Sequence, residues 1–379
     1  MPVFKQYTSV LARGVRAFVN LEVGFVRAGA SLDFRPAEKR GEWAASRDGT
    51  LEQVRRQLAN KDRELAELRA KLDGYSAGAR RINPENIVWI FGDGRVGSTW
   101  LMNMVAELKG QTLWREPMLG LLFGYLYYFW ADEKRYETRH FILGRHKESW
   151  LRSIRNFVLD EATTRFPDLG QDEYLVVKEP NGSIGAPLLI EALPESRMIF
   201  LVRDPRDVVA SSMDAHRKGS WHYERRNMQT SLVDEQPDAF VEKRAHKYLW
   251  YVGNSKLAYD AHWGPKVLVK YEELRVDTLN TMKRIYSTLG IPVDERQLEL
   301  AVKKHSWESI PEEQKGEGKF HRKATPGGWR EDLTPEQIET VERITAPLLE
   351  EFYSYEGQSK SLPDQLASSR QWMRMIYGP

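Results

Sequence analysis

The chain has 379 residues, 41% apolar and 29% charged, the composition of a globular protein with a full-sized core. Its net charge of +2 gives no electrostatic ground for a nucleic-acid partner, so any anion site must come from local clustering. Cysteine is absent, which excludes disulfides, thiolate metal sites and a thiol nucleophile, and fits a reducing, cytoplasmic setting.

Taken in chain order, residues 7–26 mix Val10, Leu11, Val15, Phe18 and Val19 with Arg13 and Arg16, and Arg27 follows. A helix there would lie on a membrane surface or cover an exposed edge of the protein. No apolar run reaches the roughly 18 residues of a membrane span, and the N-terminus lacks a signal-peptide core. Residues 51–72 carry heptads, with Leu51, Leu58, Leu65 and Leu72 at one seam position and Val54, Lys61 and Leu68 at the other. Two readings follow: a short coiled coil giving a homodimer contact, or one amphipathic helix packed on its own chain. Gly74 to Gly78 reads as a linker. The expected organisation is a helical extension over 1–80, a catalytic domain over 82–356 and a C-terminal tail over 357–379.

Beyond Ile82, short apolar runs alternate with helical stretches. Ile87–Gly92, Tyr174–Lys178, Met198–Val202 and Lys266–Lys270 read as strands. Helices are expected over Ser98–Lys109, Gly185–Leu193, Pro205–Asp214 and Leu274–Leu289. This alternation predicts an α/β fold, a three-layer domain with a central parallel sheet flanked by helices. Ligands in such folds bind beyond the C-terminal ends of the strands.

One of those ends is Gly92-Asp93-Gly94-Arg95-Val96-Gly97-Ser98-Thr99, one residue short of the ATPase phosphate loop G-x-x-x-x-G-K-[ST]. Its glycines let several backbone N–H groups face one anion, and the following helix adds its positive end. Ser98 stands where an ATPase has Lys, and the cation is Arg95, earlier in the loop. A kinase neutralises the β- and γ-phosphates with that Lys and magnesium, so the donor here carries less charge at the transferred group. A kinase reading survives as the alternative, with Asp204 as magnesium ligand. A nucleotide-binding interaction protein without catalysis is the other.

A second strand end, Met198–Val202, runs into Arg203-Asp204-Pro205-Arg206-Asp207 and a helix bearing Ser211. Arg203 and Ser211 suit one phosphate, by charge and by hydroxyl donation. Here the sequence resembles the sulfotransferases that use 3′-phosphoadenosine-5′-phosphosulfate (PAPS). Gly94-Arg95-Val96-Gly97-Ser98-Thr99-Trp100 is similar to the family's P-K/R-S-G-T-T-W loop for the 5′-phosphosulfate, with Gly for Pro and Val for the first Ser. The family's Arg and Ser for the 3′-phosphate have the spacing of Arg203 and Ser211. Val269-Lys270-Tyr271-Glu272-Glu273-Leu274 resembles the strand whose Tyr lies near the adenine. His305-Ser306-Trp307 resembles the Thr-Ser-Phe adenine contact. Phe320-His321-Arg322-Lys323-Ala324-Thr325-Pro326-Gly327-Gly328-Trp329 is similar to F-x-R-K-G-x-x-G-D-W, with Ala324 for Gly and Gly328 for Asp. The resemblance covers about Ile87 to Tyr353.

The resemblance implies PAPS as co-substrate, bound by Arg95, Val96, Gly97, Ser98, Thr99, Trp100, Arg203, Ser211, Tyr271, Trp307, Phe320, Arg322 and Lys323. Sulfuryl transfer then needs an in-line acceptor hydroxyl, a base, and cations where charge builds on the leaving phosphate. Arg95 is the loop cation and Lys178 matches a family Lys near the sulfuryl group. Cytosolic relatives place a catalytic His two residues after that Lys, where this chain has Pro180. Carbohydrate- and tyrosine-directed relatives use a Glu after the second strand, and Trp114-Arg115-Glu116-Pro117 looks like that segment. Glu116 is therefore the expected base, with Glu179 second. No metal is required. The acceptor is a hydroxyl-bearing carbohydrate, phenol or other alcohol. Leu119–Trp130 and His216–Arg226, rich in aromatic residues, suit its pocket and equally suit an ordinary helix core.

Overall fold

The computed structural model describes residues 82–125, 127, 146–353 and 361–377, together with 53, 56–61, 63 and 64. The chain divides after Gly78 into two units. In the first, the described residues are helical, and Leu58 of the heptad seam is 56% exposed. Residues 7–26 and the rest of 51–72 lie outside the described residues.

The second unit is built on five parallel strands: β1 (Ile87–Phe91), β2 (Gln111–Arg115), β3 (Tyr174–Lys178), β4 (Arg197–Val202) and β5 (Lys266–Lys270). Their order is β2-β3-β1-β4-β5. All five residues of β1 are buried, as are the last five of β4. Central strands covered on both faces read as continuous apolar runs rather than alternating ones. Trp89, the largest of these side chains, finds a partner for its indole N–H in Ser196 Oγ at 3.0 Å.

Helices cover the sheet: α1 (Ser98–Val105), α2 (Leu119–Gly124), α3 (Lys147–Arg165), α4 (Ala186–Ala192), α5 (Pro205–His216), α6 (Trp221–Arg225) and α7 (Pro237–Ala261). After β5 come α8 (Tyr271–Val276), α9 (Thr278–Leu289), α10 (Pro335–Tyr353) and α11 (Leu362–Tyr377). The last lies within the stretch read as a tail and buries Leu366, while Ser369 Oγ lies 2.8 Å from His246 Nδ1 on α7.

Three elements differ from expectation. The helix from Ser98 stops at Val105 rather than Lys109, and Gly110, at φ 77°, turns the chain into β2. Strand β2 was not among the expected strands because it lies at the sheet edge and fully buries only Trp114. The helix expected over 274–289 is two, because Asp277 accepts a hydrogen bond from Asn280 N and so starts a new helix.

The topology places the C-terminal ends of all five strands along one edge, which a parallel sheet requires. They lead into Gly92, Glu116, Glu179, Arg203 and Tyr271.

Candidate active site

The loop after β1 needs glycine at two positions. A Cβ on Gly92 would stand 2.4 Å from the Leu201 carbonyl oxygen, and one on Gly97, at φ 91°, 2.6 Å from the Tyr271 ring. Arg95 is also left-handed, at φ 72°, a conformation that costs a long side chain free energy. Two guanidinium groups hold the loop in this form. Arg244 donates to the Gly94 carbonyl at 3.0 Å and Arg203 to the Arg95 carbonyl at 3.1 Å. Among the described residues, the backbone N–H groups from Arg95 to Trp100 donate to no protein acceptor. They form a row of free donors at a helix start, suited to an anion.

Arg244 also donates to buried Asp93 at 2.6 Å and to Ser212 Oγ at 2.8 Å. It carries no sequence motif, yet it shares a helix face with buried Phe240 and Tyr248, which is the signal that marks it. Substituting Arg244→Met removes the ion-pair partner of buried Asp93 and leaves it the Gly94 N–H at 2.6 Å. The expected cost is about 3–5 kcal/mol, measured as a fall in urea midpoint.

The Arg95 side chain turns toward α5. Its Nε donates to Ser211 Oγ at 3.1 Å and one terminal nitrogen to the Phe320 carbonyl at 3.1 Å. Its guanidinium lies over the rings of Trp221 and Phe320, at 5.5 and 5.1 Å. Burial, followed by repulsion from Arg203, lowers its pKa to about 10, so it remains charged at neutral pH. Arg203 lies 4.3 Å over the Tyr271 ring, and Tyr271 meets Trp100 edge-on at 6.2 Å. Trp307 lies farther out, under the Lys315 ammonium and beside His321, which abuts Phe320. Arg322 pairs with Asp332 at 2.5 Å, and Lys323 pairs with Glu331 and Asp332. The Nε atoms of Arg203 and Arg322 are buried without a hydrogen-bond acceptor, although Arg322 Nε lies 3.8 Å from Asp214 Oδ1. Buried guanidinium N–H donors without a hydrogen bond fit a ligand that brings its own phosphate.

Two aspartates that sequence reasoning passed over organise this side. Asp207 accepts from the N–H groups of Gly327 and Trp329, at 2.8 and 3.1 Å, and burial raises its pKa. Asp214 accepts from Gly318 N at 3.1–3.2 Å. With Ser211 they occupy positions i, i+4 and i+7, one face of α5, and that spacing was legible. Asp204 is fully engaged: both its oxygens accept from Arg206, and it caps α5. The kinase reading would need those oxygens for magnesium.

At the other end of the loop stand Lys178 and Glu116. The buried Lys178 ammonium is 2.5 Å from Glu116 Oε1 and 3.3 Å from Thr99 Oγ1. Asn181 donates to the second Glu116 oxygen at 3.1 Å. The Glu116 side chain is 40% exposed, and its backbone, at φ 47°, is left-handed. Adjacent strands bring the pair together, since β2 and β3 align Arg115 with Lys178 and Glu116 N donates to the Lys178 carbonyl.

Glu179 differs in every respect. It is wholly buried, and its two oxygens accept from the N–H groups of Met118 and Gly120, which start α2. Burial outweighs those bonds and raises its pKa to about 7, from 4.5. The sign of the pH effect follows: a raised pKa stabilises fully below about 4.5, and that stabilisation is lost as pH climbs through about 7. Glu179→Gln should therefore flatten the decline in unfolding free energy between pH 5 and 8, measured by urea titration.

A model of the sulfotransferase domain matches residues 86–353. Rat sulfotransferase 2A1 is 23% identical over 225 residues, spanning 52% of this chain and 72% of that protein. Rat sulfotransferase 2A6 is 24% identical over 227 residues, with the same coverage of each. Among solved structures, mouse sulfotransferase SULT7A1 complexed with PAP has a TM-score of 0.47 at 15% identity, covering 74% of this chain and 90% of that one. The matched domain takes in every strand of the sheet and every residue of the site built above. The chain belongs to the sulfotransferase domain family of enzymes.

Proposed function

We propose that Glu116 and Lys178 carry out the chemistry of this sulfotransferase, and that Arg95, the expected loop cation, whose side chain turns to Ser211 and Phe320, joins the remaining residues of the loop and of the Arg203 cluster in holding the donor. The protein moves the sulfuryl group of PAPS to an acceptor hydroxyl. One observation supports these roles above all: the free N–H row of the loop lies between a lysine–carboxylate pair at one end and the Arg203 guanidinium, whose Nε has no acceptor, at the other. The acceptor oxygen forms a bond to sulfur as the bond from sulfur to the 5′-phosphate oxygen breaks. Glu116 takes the hydroxyl proton. Lys178, beside Thr99, and the loop N–H groups stabilise the charge that returns to the leaving adenosine 3′,5′-bisphosphate (PAP).

Arg203 and Ser211 take the 3′-phosphate, with Arg322 and Lys323 adding charge. Tyr271, Trp100, Trp307 and Phe320 surround the adenine end. Glu179 is held by backbone N–H groups on both oxygens, which favours Glu116 as the base. The test is incubation with sulfur-labelled PAPS and a glycan or cell extract. Label in an extract component supports transfer; donor binding without turnover means an idle site. Phosphate transfer from ATP in its place means a kinase.

Among the described residues no helix is long and apolar enough to cross a membrane. A cytoplasmic enzyme, peripheral membrane contact through residues 7–26 and a homodimer through 51–72 are the finer readings. They are supported by the sequence pattern and, for the dimer, by the exposure of Leu58. The catalytic domain over 82–356 and the separate extension over 1–80 are supported by the matched domain and by the division after Gly78.

A further inference from the structure

Trp100 and Trp307 come from different elements, and a cluster of charges joins those elements. Trp100 stands in the first turn of α1, and its indole N–H donates to the His305 carbonyl at 2.7 Å. Glu107 follows seven residues later, in the turn that ends the helix. Both its oxygens accept from Lys304 Nζ at 2.9 Å, and Oε1 lies 3.0 Å from His305 Nε2. The hydrogen bonds from Lys304 and His305 hold the Glu107 carboxyl below the usual carboxylate range, so it is charged at neutral pH. Lys304 is the last residue of a helix, Glu295–Lys304, whose first turn is tied to the same stretch. There Gln297 Oε1 accepts from Lys109 N at 3.3 Å.

The chain runs from this join directly into Trp307. Ser309 Oγ donates to the carbonyls of Lys304 and Ser306, both at 2.7 Å, and Ile310 N donates to that of Trp307 at 3.2 Å. The turn that carries the indole is therefore one piece with the helix end. Trp307 itself is half-buried, with the Lys315 ammonium 5.2 Å from its ring centre and His321 edge-on at 6.5 Å. Trp100, on the other element, meets Tyr271 edge-on, and Tyr271 lies under Arg203.

Ion pairs as exposed as these add little to the stability of the whole domain. Their effect is local: one carboxylate on the end of α1 takes donors from two successive residues, and so fixes where the 304–309 turn sits against that helix. From this arrangement we infer that Glu107 is a positioning residue for the donor. Through Lys304 and His305 it holds the element that bears Trp307 against the element that bears Trp100, and so sets the two indoles around the adenine. The inference rests on the reading of these two rings as the adenine end of the site.

The test compares two ligands on the full chain: PAP, and ribose 3,5-bisphosphate, which keeps both phosphates and lacks the base. Glu107→Ala should weaken PAP by about three- to thirtyfold, the range for two surface ion pairs lost together, and leave ribose 3,5-bisphosphate unchanged. Glu107→Lys places a third cation beside Lys304 and His305, and should weaken PAP further. Adding Lys304→Glu to that variant recreates a pair of reversed sign and should restore most of the affinity. Equal losses for both ligands in Glu107→Ala, or an unchanged preference for PAP, would overturn the inference. So would failure of the reversed pair to recover PAP binding. If the unaltered enzyme held ribose 3,5-bisphosphate as tightly as PAP, the adenine reading of Trp100 and Trp307 would itself fall, and the inference with it.

Discussion

Replacing Glu116 with Gln should lower kcat for sulfuryl transfer by about 10²–10⁴-fold, the range expected for loss of a positioned general base. The amide keeps the size of the carboxylate and keeps an oxygen for Asn181 or Lys178, so the fold of the 115–118 turn survives. Donor binding should change far less, because Arg203, Ser211 and the loop N–H groups, which hold its phosphates, make no contact with Glu116. Its charged partner is Lys178, at 2.5 Å. The measurement is kcat with saturating PAPS beside the Kd for PAP. A fall in kcat below tenfold would make Glu116 an anchor for Lys178 and not the base. The left-handed backbone at Glu116 and at Met118, either side of Pro117, is the kind of strain that a functional segment retains.

Arg203→Met should have the second large effect, on the donor alone. Arg203 is mostly buried, stacks on Tyr271 and keeps its Nε without a protein acceptor. A hydrogen bond to a charged group contributes about 1.5–3 kcal/mol, so losing the 3′-phosphate contact should weaken PAPS by about 10–150-fold. Adenosine 5′-phosphosulfate lacks the 3′-phosphate and should lose far less. The ratio of the two Kd values, measured in both proteins, therefore reports the contact itself and not general damage to the loop. Arg203 also holds the Arg95 carbonyl, so a modest loss for both donors is expected as well. If the unaltered enzyme failed to distinguish the two donors, the roles of Arg203 and Ser211 would collapse.

The donor side of this site was legible for a physical reason: a loop that wraps a phosphate is a local structure. Gly92 and Gly97 are required by close approaches that no Cβ tolerates, and Arg203 and Ser211 sit at a strand end and two turns into the next helix. Such constraints fall within a few residues of each other and leave a motif. Arg244 left none. It reaches Asp93 across 151 positions of sequence, from the middle of a 25-residue helix. The edge strand β2 was missed for a related cause, since its partly exposed residues carry little apolar pattern.

What the sequence determined by itself was the class of fold and, through the resemblance, the family. Alternating apolar runs and helices suffice for the first, and the motifs at the run ends carry the second. What only the tertiary structure decided was which of their residues meet. Sequence ranks Glu116 above Glu179 only through the family resemblance, and the packing supplies a physical ground for that order. The parallel register of β2 with β3 sets Glu116 beside Lys178 and partly in solvent, while the start of α2 takes both oxygens of Glu179. Nor could sequence alone reveal that Arg244 comes to grip the Gly94 carbonyl, 150 positions earlier. Pairing and desolvation depend on contacts between distant segments, and a linear pattern does not encode them.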